Sequence, residues 1–140
     1  MKYVYFVQTP TVDGMVAVKI GIARNPHARI RELQCGNPCK MRLVAYVAGD
    51  DRLERRLHAT FDSIGLRGEW FARIGKLDSL LLYLEMYVEE NGNHEISFDQ
   101  FETAISDNVA NDSWMPVCPE SEEEYEATAD RALWREYEFQ

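Results

Sequence analysis

Long apolar runs are missing from this 140-residue chain. No stretch approaches the roughly 20 apolar residues that a membrane span needs, so no membrane partner is expected. The opening Met1-Lys2-Tyr3-Val4-Tyr5 is interrupted by polar residues too soon for a secretory signal. A soluble, cytoplasmic protein is the expectation. Cysteine is scarce too. Cys35, Cys39 and Cys118 are odd in number, which argues against a disulfide framework in a chain without a signal. Cys35 and Cys39 lack a second ligand pair at zinc spacing and read as structural or incidental thiols. Basic residues all but vanish from the second half. Residues 76–140 hold three Lys or Arg against seventeen Asp or Glu, a balance of −14, whereas residues 1–75 hold twelve against seven, a balance of +5. The front half can therefore approach a polyanion that the back half repels, and the net charge of −9 is a poor guide to the partner.

The chain nevertheless has what folding requires. Apolar residues make up 46% of it, enough to exclude a disordered acidic protein. Its length suits one compact domain with an appendage. Residues 2–8 alternate aromatic and β-branched types and read as a strand. Turn chemistry over residues 9–14 leads to a second strand over 15–20. Asn25-Pro26 sets an N-cap and a first helical proline, and that helix ends near Cys35-Gly36-Asn37-Pro38. A third strand follows over 41–48. Asp50-Asp51 opens a second helix, with Leu53, Leu57, Phe61 and Ile64 on one face. Gly68-Glu69-Trp70-Phe71 then packs back as a short extended segment. From Lys76 a third helix carries Leu77, Leu80, Leu81, Leu84 and Val88, and it stops at Asn91-Gly92. Ser97-Phe98-Asp99-Gln100 and Ser121-Glu122-Glu123-Glu124 both fit the capping box. The expectation is an α+β fold: a small antiparallel three-stranded sheet flanked by helices over residues 1–75, then an acidic, mainly helical extension over 76–140. Residues 114–119 form a rigid connector inside that extension.

Tyr5, Lys19-Ile20-Gly21, Arg29, Glu54, His58 and Gly68-Glu69-Trp70-Phe71 follow one another at suggestive distances. Gly21 and Arg29 are eight apart, and Leu57-His58-x-x-Phe61 precedes the Gly-Glu-Trp-Phe run. In order and spacing these residues resemble the GIY-YIG nuclease superfamily, in its short stand-alone branch from phages and bacteria. The likeness covers residues 2–72. It departs where Tyr3 replaces the first glycine and Lys19 the second tyrosine. It implies metal-dependent hydrolysis of nucleic-acid phosphodiesters, DNA above all, with Mg²⁺ or Mn²⁺ as the cofactor.

The residue types suit that chemistry. Cutting a phosphodiester needs an activated water, charge compensation on the phosphoryl oxygens and help for the leaving oxygen. Tyr5 is a poor base unless a cation such as Lys19 lies beside it. Arg29 suits a scissile phosphate through its planar fork. Glu54 offers a carboxylate to the metal. His58, one turn later on the same helical face, can orient water or donate to the phosphate. Arg24, Arg31, Arg52 and Arg55 are candidates for sequence-independent phosphate contacts, as are Arg42 and Arg56.

Plainer readings stand beside these. Tyr5 can be a core tyrosine with a satisfied hydroxyl, and Lys19 a solvated strand residue. Arg29 can pair with Glu32 or Asp62. Asp51-x-x-Glu54 fits a capping box, and His58 can be buried against a backbone carbonyl. Glu69-Trp70-Phe71 reads as structural, His27 and His94 as surface residues. The acidic half is a solvated helical extension, a mask over the basic face, or a docking module for a protein partner. An alternative for the whole chain is a scaffold without efficient chemistry that binds protein or nucleic acid, as an inhibitor or DNA mimic does.

Overall fold

The computed structural model describes residues 1–11 and 14–109. The connector at 114–119, Cys118 and the helix expected from Ser121 lie outside these residues. Strands β1 (Tyr3–Pro10) and β2 (Val16–Ala23) form the expected antiparallel hairpin. Helix α1 (Pro26–Gln34) follows, with the Asn25 side chain accepting from the Ala28 N–H at 3.1 Å and Pro26 in the first turn. Then come β3 (Arg42–Ala48), α2 (Asp51–Thr60), a 3₁₀ turn at Asp62–Ile64, β4 (Gly65–Arg67) and β5 (Trp70–Ala72). Helix α3 (Gly75–Asn91), β6 (Glu95–Ile96) and α4 (Phe98–Asn108) complete the described chain. Gly92 closes α3 at φ 75°, a left-handed cap that glycine adopts without strain. Ser97 and Gln100 form both halves of the capping box that starts α4.

The α+β class holds, but the sheet is larger than three strands. It has six, in the order β4-β5-β2-β1-β3-β6, and it is mixed because β6 runs parallel to β3. The antiparallel trio β2-β1-β3 forms its centre. The three additional strands are only two or three residues long, too short to display an alternating pattern in sequence.

Alternation along β1 sorts the core into two layers. Val4 and Phe6 join Val18, Ile20 and Val47 under α2, α3 and α4. Tyr5 and Val7 face the other way, with Met41 and Leu43, against Ile30 and Leu33 of α1. Leu77, Leu80, Leu81 and Leu84 of α3 and Phe101 and Ile105 of α4 belong to the first layer. Residues 76–109 therefore share a core with the strands that precede them. Some of their acidity is also used internally. Arg73, half-buried, binds Gln8, Asp78 at 2.9 Å and Glu85 at 2.7 Å, and Arg42 reaches the other Glu85 oxygen at 2.7 Å. Burial alone would raise the Glu85 pKa, but hydrogen bonds from Arg42 and Arg73 outweigh it and hold the carboxyl below its ordinary range. No helix among the described residues is long and apolar enough to cross a membrane.

Candidate active site

The site is built where β5 stops covering β2. β5 pairs with Ala17, Val18 and Lys19 only. At the next residue the backbone of β2 finds other partners. The Ile20 N–H donates to the Glu69 carbonyl at 3.1 Å, and the Ile20 carbonyl accepts from Nε2 of His58 at 2.8 Å. A histidine from α2 thus continues the ladder that β5 leaves off. Because a carbonyl only accepts, Nε2 carries the proton in this bond.

Tyr5 stands opposite Gly21 in the hairpin register, on the face that Lys19 also occupies. The phenol lies directly over Gly21. A Cβ there would come within 2.5 Å of Tyr5 Cζ and closer still to its hydroxyl. Glycine is required for close approach, and the second strand motif ends in one for that reason. Tyr5 is 1% exposed.

Three charged groups act on that hydroxyl. Arg29 donates to it from α1, and Glu69 and Glu54 act on it through their charge. Arg29 also donates to Glu32 at 3.1 Å, so the ion pair weighed from the sequence exists alongside the contact with Tyr5. Lys19 is 8% exposed and lies 2.5 Å from Glu69 and 5.9 Å from the Trp70 ring centroid. The phenol, guanidinium, carboxylate, imidazole and ammonium expected from the sequence therefore converge. Glu54 is freed for this place by a shift of the cap. Asp50, not Asp51, caps α2, its side chain accepting from the Arg52 N–H at 2.9 Å, so the Asp51–Glu54 capping box does not form.

The electrostatics hold the Tyr5 phenol in its protonated form. Burial and then the Glu69 charge push its pKa up to about 12, against the hydrogen bond and charge of Arg29. Lys19 is engaged with Glu69, and the phenol remains protonated at neutral pH. A consequence follows for stability. A folded pKa above the ordinary 10 means the contribution of Tyr5 is complete below pH 10 and is lost as pH rises toward 12. Urea unfolding of Tyr5→Phe is expected to lose less stability than wild type across that window. Equal losses would refute the assignment.

Glu69 is the functional candidate that sequence reading left among structural residues. The Gly-Glu-Trp-Phe run does close the sheet through Trp70 and Phe71, yet its glutamate points into the site. The signal was the position itself: a lone carboxylate beside two aromatic residues, placed to meet the lone lysine of β2. Glu54, His58 and Glu69 bring ligand atoms within 4.8 Å of one another, a group able to hold a metal ion.

The surrounding arginines are more dispersed. Arg24 and Arg31 are exposed just before and within α1, and Arg52 is exposed on α2 beside Asp50. Arg55 is half-buried on α2. None of these four is among the groups that act on the Tyr5 hydroxyl. Arg42 is exposed but paired with Glu85, and Arg56, 7% exposed, is not solvent-facing. His27 is exposed, as expected, and His94 is half-buried. His27 meets Tyr46 edge-on at 5.7 Å and His94 at 6.0 Å.

Fold and site together define a small mixed-sheet domain with a charged, metal-compatible cluster where β5 stops pairing with β2. The chain belongs to the T5orf172 domain family, which matches residues 2–90. That membership carries a nucleic-acid-related function. It corrects the resemblance drawn from sequence, because this family is a different one from GIY-YIG. Single residues at loose spacing carried that resemblance over residues 2–72, whereas the family match continues through nearly all of α3. Neither the curated proteins nor the solved structures contain a match to the chain.

Proposed function

We propose that this T5orf172-domain protein hydrolyses nucleic-acid phosphodiesters, DNA in the first place, with a divalent metal ion. The observation that supports this reading most is the meeting of Tyr5, Arg29, Glu54, His58, Lys19 and Glu69 from four different elements and a turn. The donor set fits the cofactor, since Glu54, His58 and Glu69 already lie within the span of one ion. A bound divalent cation neutralises phosphoryl charge and makes a water acidic enough to act near neutral pH.

The chain's own groups divide the remaining work. Arg29 has five N–H donors, and those not given to Glu32 and Tyr5 are available to a phosphate oxygen. Tyr5 accepts from Arg29 and, being protonated, directs its own hydrogen at the phosphoryl or leaving oxygen. Lys19 holds Glu69 in place and brings a buried positive charge to the cluster. Glu54 supplies the carboxylate that anchors the cation. Exposed Arg24, Arg31 and Arg52, with Arg55, supply phosphate contacts that do not read sequence.

Arg29→Ala tests the reading. With Mg²⁺ or Mn²⁺ present, the wild-type protein is expected to cleave plasmid or single-stranded DNA. The variant should lose roughly 10²–10³-fold in rate while DNA affinity falls far less. Undiminished cleavage by Arg29→Ala would remove the guanidinium from the site.

A further inference from the structure

We infer that Glu54, His58 and Glu69 form a three-ligand centre that takes a borderline divalent transition-metal ion, Mn²⁺ or Zn²⁺, in preference to Mg²⁺. This deepens the hydrolytic reading of the same pocket and rests on it for the role of the ion.

Geometry is the first support. One donor atom from each side chain lies within 4.8 Å of the others, a span that bonds of about 2.0–2.2 Å close with small side-chain adjustments. Glu54 and His58 share a face of α2 four residues apart, and Glu69 arrives from the turn before β5. Glu54 is 6% and His58 1% exposed, so the centre lies within the domain instead of on an acidic surface.

The partners behind the ligands are the second and independent support. A histidine that binds a metal through one ring nitrogen donates the other N–H to a carbonyl or carboxylate, which fixes tautomer and orientation. His58 does this, giving Nε2–H to the Ile20 carbonyl at 2.8 Å. Glu69 is likewise held from behind, one oxygen bound by Lys19 at 2.5 Å. Lys19 is then a positioning residue. Its charge offsets one of the two carboxylates.

The ligand chemistry selects the ion. Mg²⁺ favours oxygen donors, keeps several waters and is bound by one or two carboxylates. The two carboxylates suit Mn²⁺, and the added imidazole nitrogen favours a transition-metal ion over Mg²⁺, Zn²⁺ most strongly by the usual affinity order.

The test needs no nucleic acid. Metal-stripped full-length protein is titrated into Mn²⁺ while the paramagnetic resonance signal of the free ion is followed. The expected result is one Mn²⁺ bound per chain, released by a stoichiometric amount of Zn²⁺ but only by a large excess of Mg²⁺. Glu69→Gln should weaken Mn²⁺ binding by at least roughly tenfold. Its side chain is 17% exposed, and a thermal melt verifies that the variant is folded. His58→Gln should do the same. Wild-type affinity in both variants, with loss only in Glu54→Gln, would overturn the three-ligand centre and leave hydrolysis standing. Equal competition by Mg²⁺, or no Mn²⁺ bound by wild type, would overturn it as well. Stoichiometric, Glu69-dependent binding in a protein that never cuts DNA would uphold the centre and reject the hydrolytic reading.

Discussion

Glu54→Gln is expected to reduce phosphodiester cleavage by roughly 10²–10³-fold while the protein stays folded. The substitution keeps shape and volume and removes only the charge, so the core beneath α2 has no new cavity to accommodate. Leu53 and Leu57, the neighbours that anchor the helix, are fully buried and untouched. Glu54 itself is 6% exposed, an expensive place for a carboxylate unless a cation or hydrogen bonds stabilise it. That cost makes sense at a site where charge is used. Rates measured at saturating Mn²⁺, with a thermal melt for each protein, test the point. An unchanged rate would mean that the buried carboxylate plays no part in the chemistry.

Gly21→Ala should be nearly as damaging, through geometry alone. The added methyl would sit 2.5 Å from Tyr5 Cζ, and the ring is packed in the α1-facing core layer with Val7, Met41 and Leu43. Relief requires Tyr5 or β2 to move. Forcing an extra carbon into a packed core commonly costs about 1–3 kcal/mol. The displaced phenol would also abandon Arg29. Cleavage is therefore expected to fall further in Gly21→Ala than in Tyr5→Phe, which keeps the ring in place and loses only the hydroxyl. Steady-state rates of the two variants decide it; equal rates would show that the hydroxyl position is not set by the glycine.

Much of this arrangement was legible in the sequence where local rules operate. Asn25-Pro26, Ser97-x-x-Gln100 and Asn91-Gly92 are caps written in a few adjacent residues, and each sits at the boundary it signals. The hairpin and the leucine stripe of α3 are periodic, and periodicity survives without tertiary context. β4, β5 and β6 exist only because the central strands offer partners, so they left no pattern of their own. Glu69 shows the same limit from the side of chemistry. Its role depends on Lys19, fifty residues earlier, and on a helix that delivers His58 to the strand between them. Tyr5 stands beside Arg29 as its spacing suggests, but its raised pKa is not legible in the sequence. Spacing brings Lys19 onto the Tyr5 face, and only the folded arrangement reveals that Glu69 claims the ammonium first. Charge segregation was also read too literally. Asp78 and Glu85 belong to the acidic half, yet they face Arg73 and Arg42 of the basic half across the fold.

The account stands or falls on metal-dependent turnover by these converging groups. The most direct measurement is the cleavage rate of an end-labelled DNA oligonucleotide by purified wild-type protein, first stripped with EDTA and then supplied with excess Mn²⁺. The prediction is no detectable cutting without the ion and multiple turnovers once it is restored. Cutting that ignores EDTA, or intact DNA after prolonged incubation with the reloaded protein, would contradict it.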